Sequence, residues 1–286
     1  MDNDNNRYGC SVDTGIVGQE NRMQKLSLIK GKLTVIATIV VFWPVWIWYV
    51  RRILYSTFEY VSVIPLIAII FFIVRDKKIA CIIELKKYNL FILLMSVYII
   101  LFHYIPELVR AFLAFSIIAF LLSEVYFKIK INFTLLGLFF LSLPVIPTID
   151  FYFGYPLRLL ATNISFLLIR MSGYRVELEG TMIEYGNRFV CVDAPCSGIK
   201  MLWTGILLSF ILTGFFRFTN KKTLILSIYA FIFVIAGNII RSTLLFFTES
   251  GIFVMPEWFH AAVGAAIFIS LTAVITLTAY YMDKKL

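Results

Sequence analysis

The sequence predicts an all-α membrane protein of about eight transmembrane helices, with a small extracytoplasmic β-hairpin cap before the sixth span. Three observations support this fold class. Of the 286 residues, 60% are hydrophobic and 15% are charged, whereas soluble domains are about half apolar and a quarter charged. The apolar residues form runs of about 20, which is the length that crosses a bilayer. Lys and Arg cluster between these runs, as in cytoplasmic loops.

The chain divides into four parts in order. Residues 1–32 form a polar tail, which we place in the cytoplasm, and the apolar run that follows would act as a signal anchor. Residues 33–149 form an N-terminal half of five spans, residues 150–195 form a cap, and residues 196–286 form a half of three spans. The predicted spans are 33–50, 53–74, 89–105, 108–127, 131–149, 196–216, 222–247 and 259–281.

The basic clusters determine the predicted orientation. With eight spans, the clusters in the tail, in "RDKK" and "ELKK", in "KIK", in "RFTNKK" and in "DKKL" all face the cytoplasm. Both termini are therefore predicted to be cytoplasmic in a multi-pass protein of the cell membrane. Arg51 and Arg52, between the first two spans, are the exception to this pattern.

The cap, residues 150–195, is predicted to contain a helix and a β-hairpin. The apolar stretch 154–174 includes Arg158 and Arg170, and a further span there would invert the sixth span. We therefore expect a helix that lies at the outer interface or dips in and returns. The sequence that follows alternates apolar and polar residues, with turn signals at Gly180 and "YGN", which predicts two or three short strands.

The predicted topology brings three chemically active residues to the outer face. Cys196 opens the sixth span, Arg241 lies in the outer half of the seventh, and His260 opens the eighth. A thiol at a helix N-terminus is favoured as the thiolate, an arginine can stabilise an oxyanion, and a histidine can act as general acid and base. This set is sufficient for acyl transfer through a thioester.

Other residues could support or replace these three. Lys200, one turn after the cysteine, could stabilise a thiolate, Asp193 could orient the imidazole, and Asn238 could join the site. His103 is the rival base. Some of these residues also have an ordinary alternative role. Cys196 could be a small buried apolar residue, Lys200 could extend to the headgroups, and Cys191 could pair with Cys196.

The remaining composition excludes several functions. The net charge of +9 is explained by the membrane topology, so we expect no nucleic-acid partner. The four cysteines form no CxxC pair and the two histidines are far apart in sequence. We therefore expect no metal and no cofactor.

Residues 154–264 carry a family resemblance. "CSGIK" at the start of a span, "NIIRS" in the next, the histidine that opens the last, and "GYRVELEG" before the cysteine resemble the exosortase/archaeosortase family of polytopic transpeptidases. The resemblance implies that Cys196 is the nucleophile, Arg241 the transition-state stabiliser and His260 the acid/base. It also implies partners: secreted proteins with a C-terminal motif, a membrane helix and a basic tail.

Lys200 departs from the arginine that the family often has after "CSGI". Two other functions remain open. A cysteine protease would pass the thioester to water instead of another acceptor. A polytopic transporter or scaffold without a catalytic cysteine would use Arg241 to line a path, although the sequence shows no inverted repeat.

Overall fold

The computed structural model describes residues 31, 33–56, 59–75, 88–186, 188–191, 197–256 and 258–284. Most of these residues are helical, and one small sheet lies between the seventh and eighth helices. The elements in chain order are α1 (Leu33–Val41), α2 (Trp43–Tyr55), a 3-10 turn (Glu59–Ser62), α3 (Val63–Arg75), α4 (Tyr88–Leu101), α5 (Glu107–Phe127), α6 (Phe133–Leu141), α7 (Ile146–Met171), β1 (Glu177–Glu179), β2 (Met182–Tyr185), β3 (Arg188–Cys191), α8 (Ile199–Phe215), α9 (Asn220–Glu249) and α10 (Trp258–Lys284).

Three of the described helices, α5, α9 and α10, are long and apolar enough to cross a membrane. The count rises to five if the bent pairs α1–α2 and α6–α7 are each taken as one span. Helix α8 is apolar but has 17 residues, and at 1.5 Å per residue it is about 25 Å long. The protein is therefore a multi-pass membrane protein, and the count of eight spans stays a prediction.

The predicted break between the first two spans is wrong. Helix α2 continues through Arg51 and Arg52 to Tyr55, and a sharp bend of 62° lies earlier, between α1 and α2. The structure also explains the exceptional basic pair. Arg52 Nε lies 3.4 Å from the carboxylate of Glu59, which is fully buried. Because a buried carboxylate needs a cationic partner, this arginine stabilises the link from α2 to α3.

The fifth predicted span, 131–149, is also wrong as one straight helix. Helix α6 ends at Leu141, and α7 begins at Ile146 in a direction 92° away. Helix α7 then continues through the predicted interfacial segment and packs along α9, where Ser165 Oγ donates a hydrogen bond to the Ile239 carbonyl at 3.3 Å. The predicted helix therefore begins earlier than expected and is packed against the bundle.

The three strands form an antiparallel meander in the order β1-β2-β3. The chain turns at Gly180 and at Gly186, whose φ values of 58° and 62° are in the left-handed region that favours glycine. Ile183 and Val190 are paired across β2 and β3 and are buried with Phe246 of α9. The sheet is thereby fixed to the C-terminal half of α9.

Helices α8, α9 and α10 pack together, and several basic residues gather where α8 ends, α9 begins and α10 ends. Lys222 Nζ, at the start of α9, donates to the Met282 carbonyl near the end of α10 at 3.1 Å. Arg75, at the end of α3, donates to the Gly214 carbonyl near the end of α8 at 2.7 Å. Asn220 bonds the backbone at Ile131 and Phe133, just after Lys128 and Lys130. We call this the basic end.

Candidate active site

Cys196 and Asp193 lie outside the described residues, and the description resumes at Ser197, the next residue in the chain. Ser197 is buried, and its Oγ donates a hydrogen bond to Asp150 Oδ1 of α7 at 3.1 Å. A charged acceptor makes this a strong type of hydrogen bond. The segment that carries the cysteine is therefore attached to α7 at its next residue.

Gly198 follows, in a conformation that other residues rarely adopt. Its φ is 76°, and it precedes the first residue of α8. A Cβ atom at this position would come within 2.6 Å of Asn238 Cγ on α9. Both the backbone angle and the absence of space explain why this position needs glycine. The start of α8 consequently lies directly against Asn238.

Arg241 lies three residues after Asn238, so the two side chains share one face of α9. The Arg241 guanidinium lies against α10, because a Cβ atom at Gly264 would be 3.4 Å from Arg241 Nε. That Nε is buried and has no hydrogen-bond partner among the described residues. A buried donor without a partner is unusual and needs an explanation.

His260 lies four residues before Gly264, on the same face of α10. Its Nε2 is 3.6 Å from Glu249 Oε1, in the last turn of α9. Both side chains are partly exposed, at 48% and 41%. Glu249 is thus placed where a carboxylate could orient the imidazole.

These contacts form a continuous series from the cysteine segment to the histidine. Gly198 contacts Asn238 on α9, and Arg241 follows Asn238 on the same face. Gly264 on α10 lies against Arg241, and His260 is one turn before Gly264. The series crosses three helices that are distant in sequence. The series links Gly198, two residues after Cys196, to Arg241 and, one further turn away, to His260; that these residues form one site with Cys196 stays a prediction.

The contacting residues on α8, α9 and α10 lie at the same distance from the basic end. The same number of positions separates Gly198 from Arg217 at the end of α8, Arg241 from Lys222 on α9, and Gly264 from Asp283 on α10. At 1.5 Å per residue each separation is about 28 Å, which is close to the 30 Å of a bilayer's hydrocarbon core. The candidate site and the basic end are therefore separated by about the thickness of that core.

The other sequence candidates are placed differently. Lys200 is exposed in the first turn of α8, where the helix dipole disfavours a cation. His103 is exposed in the turn after α4, and α4 packs against α5. Cys191 is exposed at the end of β3. Within the described part of the chain, no group of three or more His, Cys, Asp or Glu residues could hold a metal ion.

A small cavity lies beneath Ser197, Gly198 and Asn238. Its volume is about 10 Å³, and the rest of its lining is apolar. This volume holds about one water molecule and excludes a peptide. A peptide substrate can therefore reach this part of the bundle only from the surface.

Sequence reasoning did not identify Asp150 or Glu249 as part of this arrangement, and it used Gly264 only as the end of the family resemblance. Asp150 falls just after the end of a predicted span, and only the bend between α6 and α7 directs it toward Ser197. Glu249 had a detectable signal, since it is eight residues after Arg241, about two helical turns. The four-residue spacing of Gly264 from His260 was also a usable signal.

The helical bundle defines a multi-pass membrane protein in which Arg241 and His260 lie on the neighbouring helices α9 and α10. A family model described as "Transmembrane exosortase" matches residues 21–277 of the chain. The chain belongs to this family and has a function of the transmembrane exosortase type. No curated protein and no solved structure shows a significant match to the chain.

Proposed function

We propose that this protein is a membrane-embedded cysteine transpeptidase. It cleaves the C-terminal sorting tails of secreted proteins through a thioester and transfers the proteins to an acceptor. The observation that carries this proposal is the series of contacts from Gly198 through Asn238 and Arg241 to Gly264, one turn from His260. Because Gly198 is two residues after Cys196, the series supports a role for the Arg241 guanidinium and the His260 imidazole beside the nucleophile that the family resemblance implies.

The first half of the reaction forms the thioester. The Cys196 thiolate adds to the carbonyl carbon of the scissile peptide bond, and the carbonyl oxygen becomes an oxyanion. The Arg241 guanidinium donates hydrogen bonds to that oxyanion. The C–N bond then breaks, His260 gives its proton to the leaving amine, and the acyl group stays on the sulfur.

The second half releases the product and restores the enzyme. An acceptor nucleophile loses its proton to His260 as it adds to the thioester carbon. The C–S bond breaks, and the thiolate of Cys196 leaves. Glu249, 3.6 Å from the imidazole, would hold His260 in place through both proton transfers.

The proposed orientation places both termini in the cytoplasm and the site on the extracytoplasmic side. The gathering of Arg75, Arg217, Lys222 and Lys284 at the end opposite the site supports it, because cytoplasmic ends are enriched in basic residues. Its partners are secreted proteins whose tail consists of a motif, a membrane helix and a basic end. The helix of such a tail holds the scissile bond at the membrane surface.

The direct test is coexpression with a secreted reporter that carries such a tail. We expect Cys196→Ala to abolish processing, Arg241→Ala and His260→Ala to slow it at least 10²-fold, and Cys191→Ala, as the matched cysteine control, to leave it unchanged. The mass of the released reporter separates transfer to an acceptor from hydrolysis. Unchanged processing by the Cys196→Ala variant would contradict the proposed chemistry and favour the transporter or scaffold.

The side of the membrane that the proposed site faces can be tested separately. In a variant without Cys10, Cys81 and Cys191, a membrane-impermeant thiol reagent should label Cys196 in intact spheroplasts. Labelling that requires disruption of the membrane would show that the site faces the cytoplasm.

A further inference from the structure

A second and larger cavity lies at the basic end, about one bilayer thickness from Arg241 and His260. Its volume is about 440 Å³, within the range of small-molecule sites. It is lined by residues at the ends of α3, α5 and α8 and at the starts of α6 and α9. The proposed catalytic chemistry uses none of these residues.

Arg75 and Arg217 are the two charged residues in this lining, and none of the described lining residues is acidic. Arg75 is held in a fixed position, because its Nη atoms donate to the Gly214 and Phe215 carbonyls at 2.7 and 3.3 Å. Its Cζ is also 5.0 Å from the centre of the Phe72 ring. The cavity wall therefore carries a positive charge in a defined place.

Arg217 occupies a backbone position that usually belongs to glycine. Helix α8 ends in a Schellman motif: the Phe218 N–H donates to the Thr213 carbonyl at 2.9 Å, and the Arg217 N–H donates to the Gly214 carbonyl. The residue after the cap, Arg217, has a φ of 52°. Glycine is favoured at this position, so an arginine there indicates that its side chain has a use.

A helix start adds to the positive potential. Thr219 lines the cavity and caps α9, but its side chain makes no capping hydrogen bond to the helix. The first N–H groups of a 30-residue helix thus face this region without a side-chain acceptor, and such groups favour an anion. By contrast, Asn132 caps the start of α6 with its own side chain.

Apart from the two arginines, the cavity wall combines an asparagine and three threonines with a larger apolar surface. Phe72, Phe127 and Phe218 contribute aromatic side chains, and most of the exposed lining surface is carbon. A small anion would leave this apolar surface uncovered. An amphiphile with an anionic head and a hydrocarbon tail would cover both parts.

We propose that this cavity binds the phosphate headgroup of an anionic membrane phospholipid, with Arg217 and Arg75 at the phosphate and the first part of an acyl chain against the phenylalanines. The lipid belongs to the leaflet at the basic end. Its binding stabilises the junction of α3, α8 and α9. This site is separate from the proposed reaction and does not depend on it.

The test compares lipids that differ in charge. Full-length protein is placed in phosphatidylcholine nanodiscs with or without phosphatidylglycerol, and thermal unfolding and the lipid retained after extraction, by native mass spectrometry, are measured. We expect phosphatidylglycerol to raise the unfolding midpoint and to be retained preferentially. Arg217→Gln should reduce the retained phosphatidylglycerol about tenfold, the effect of one lost hydrogen bond to a charged group. Arg217→Lys should retain most of it.

Matched variants separate lipid binding from other effects. Arg170→Gln removes an exposed arginine at the far end of α7 and should leave lipid retention unchanged. Cys196→Ala should also retain phosphatidylglycerol, whether or not the chain is a transpeptidase. Equal retention of both lipids, or normal retention by Arg217→Gln, would overturn the proposal. So would inorganic phosphate that stabilises the protein in phosphatidylcholine as fully as phosphatidylglycerol does.

Discussion

Gly198 lies so close to Asn238 that a methyl group at Gly198 would come within 2.6 Å of the amide carbon. This contact joins the start of α8 to the face of α9 that carries Arg241. The contact is tight on both sides, because Asn238 is 5% exposed and Gly198 has a φ of 76°. The position of the start of α8 relative to Asn238, one turn from Arg241, is consequently fixed by the absence of a side chain at Gly198.

Gly198→Ala should therefore impair processing of a tailed reporter. The added methyl group must push α8 away from Asn238, and a displacement of about 1 Å in a catalytic arrangement costs about 10²-fold in rate. Gly173→Ala is the matched control, since Gly173 has a φ of 92° but no neighbouring atom within 4 Å. It carries the backbone strain without the clash and should process the reporter normally. Equal loss of processing in Gly198→Ala and Gly173→Ala would show that backbone strain, and not the contact with Asn238, causes the loss.

Arg241→Lys should lower the rate of processing about 10²- to 10³-fold, the usual effect of removing an oxyanion donor. A lysine keeps the charge but loses the forked pair of donors. Arg170→Lys, on exposed α7 surface, is the control and should have normal activity. The measurement is single-turnover cleavage of the reporter at matched protein levels.

Substitutions at Gly264 provide a graded test of the role of the Arg241 guanidinium. Gly264→Ala adds a methyl group at 3.4 Å from Arg241 Nε, which is ordinary contact, so we expect a small effect. Gly264→Leu needs the space that the guanidinium occupies, and its loss should approach that of Arg241→Lys. Normal activity in the leucine variant would mean that the guanidinium functions elsewhere.

Glu249→Gln should lower activity about tenfold, a part of the 10²- to 10⁴-fold that a positioned acid–base group provides. The amide keeps the shape but loses the charge that pairs with a protonated imidazole. The decisive comparison is the double variant with His260→Ala, which should be no slower than His260→Ala alone. Glu177→Gln in β1, another exposed carboxylate, is the control.

Asp150 and Ser197 should be coupled in stability. Asp150→Ala and Ser197→Ala each remove the 3.1 Å hydrogen bond, and a double-mutant cycle on thermal unfolding should give a coupling of about 1–2 kcal/mol. Asp150→Asn retains an acceptor oxygen and should keep most of the stability. A coupling near zero would show that the bond does not hold the cysteine-bearing segment.

Hydropathy and charge predicted the parts of the molecule that follow from simple periodic patterns. The runs behind α5, α9 and α10 were identified because a long apolar helix is visible in any 20-residue window. Arg241 and His260 were identified because charged or titratable groups in such runs are conspicuous. Their location on one membrane face was predicted by counting spans and stays a prediction.

The parts that sequence reasoning missed depend on bends between helices and on close contacts at glycine residues. The apolar run through α6 gives no sign of the 92° turn before Ile146, so Asp150 could not be placed near Ser197. The close approach of Gly198 to Asn238 is a tertiary property of two helices. The ion pair of Arg52 with Glu59 likewise depends on a short turn inside an apparently continuous apolar run.

Under the proposed function, the equal spacing between the candidate site and the basic end along α8, α9 and α10 would measure the length of a client helix. A client helix anchored by its own basic tail would present its scissile bond at the thiol only if its apolar length matches about 28 Å. A client shortened or lengthened by one helical turn would misplace that bond by about 5 Å. Recognition of clients would then depend on the thickness of the bilayer as well as on the motif.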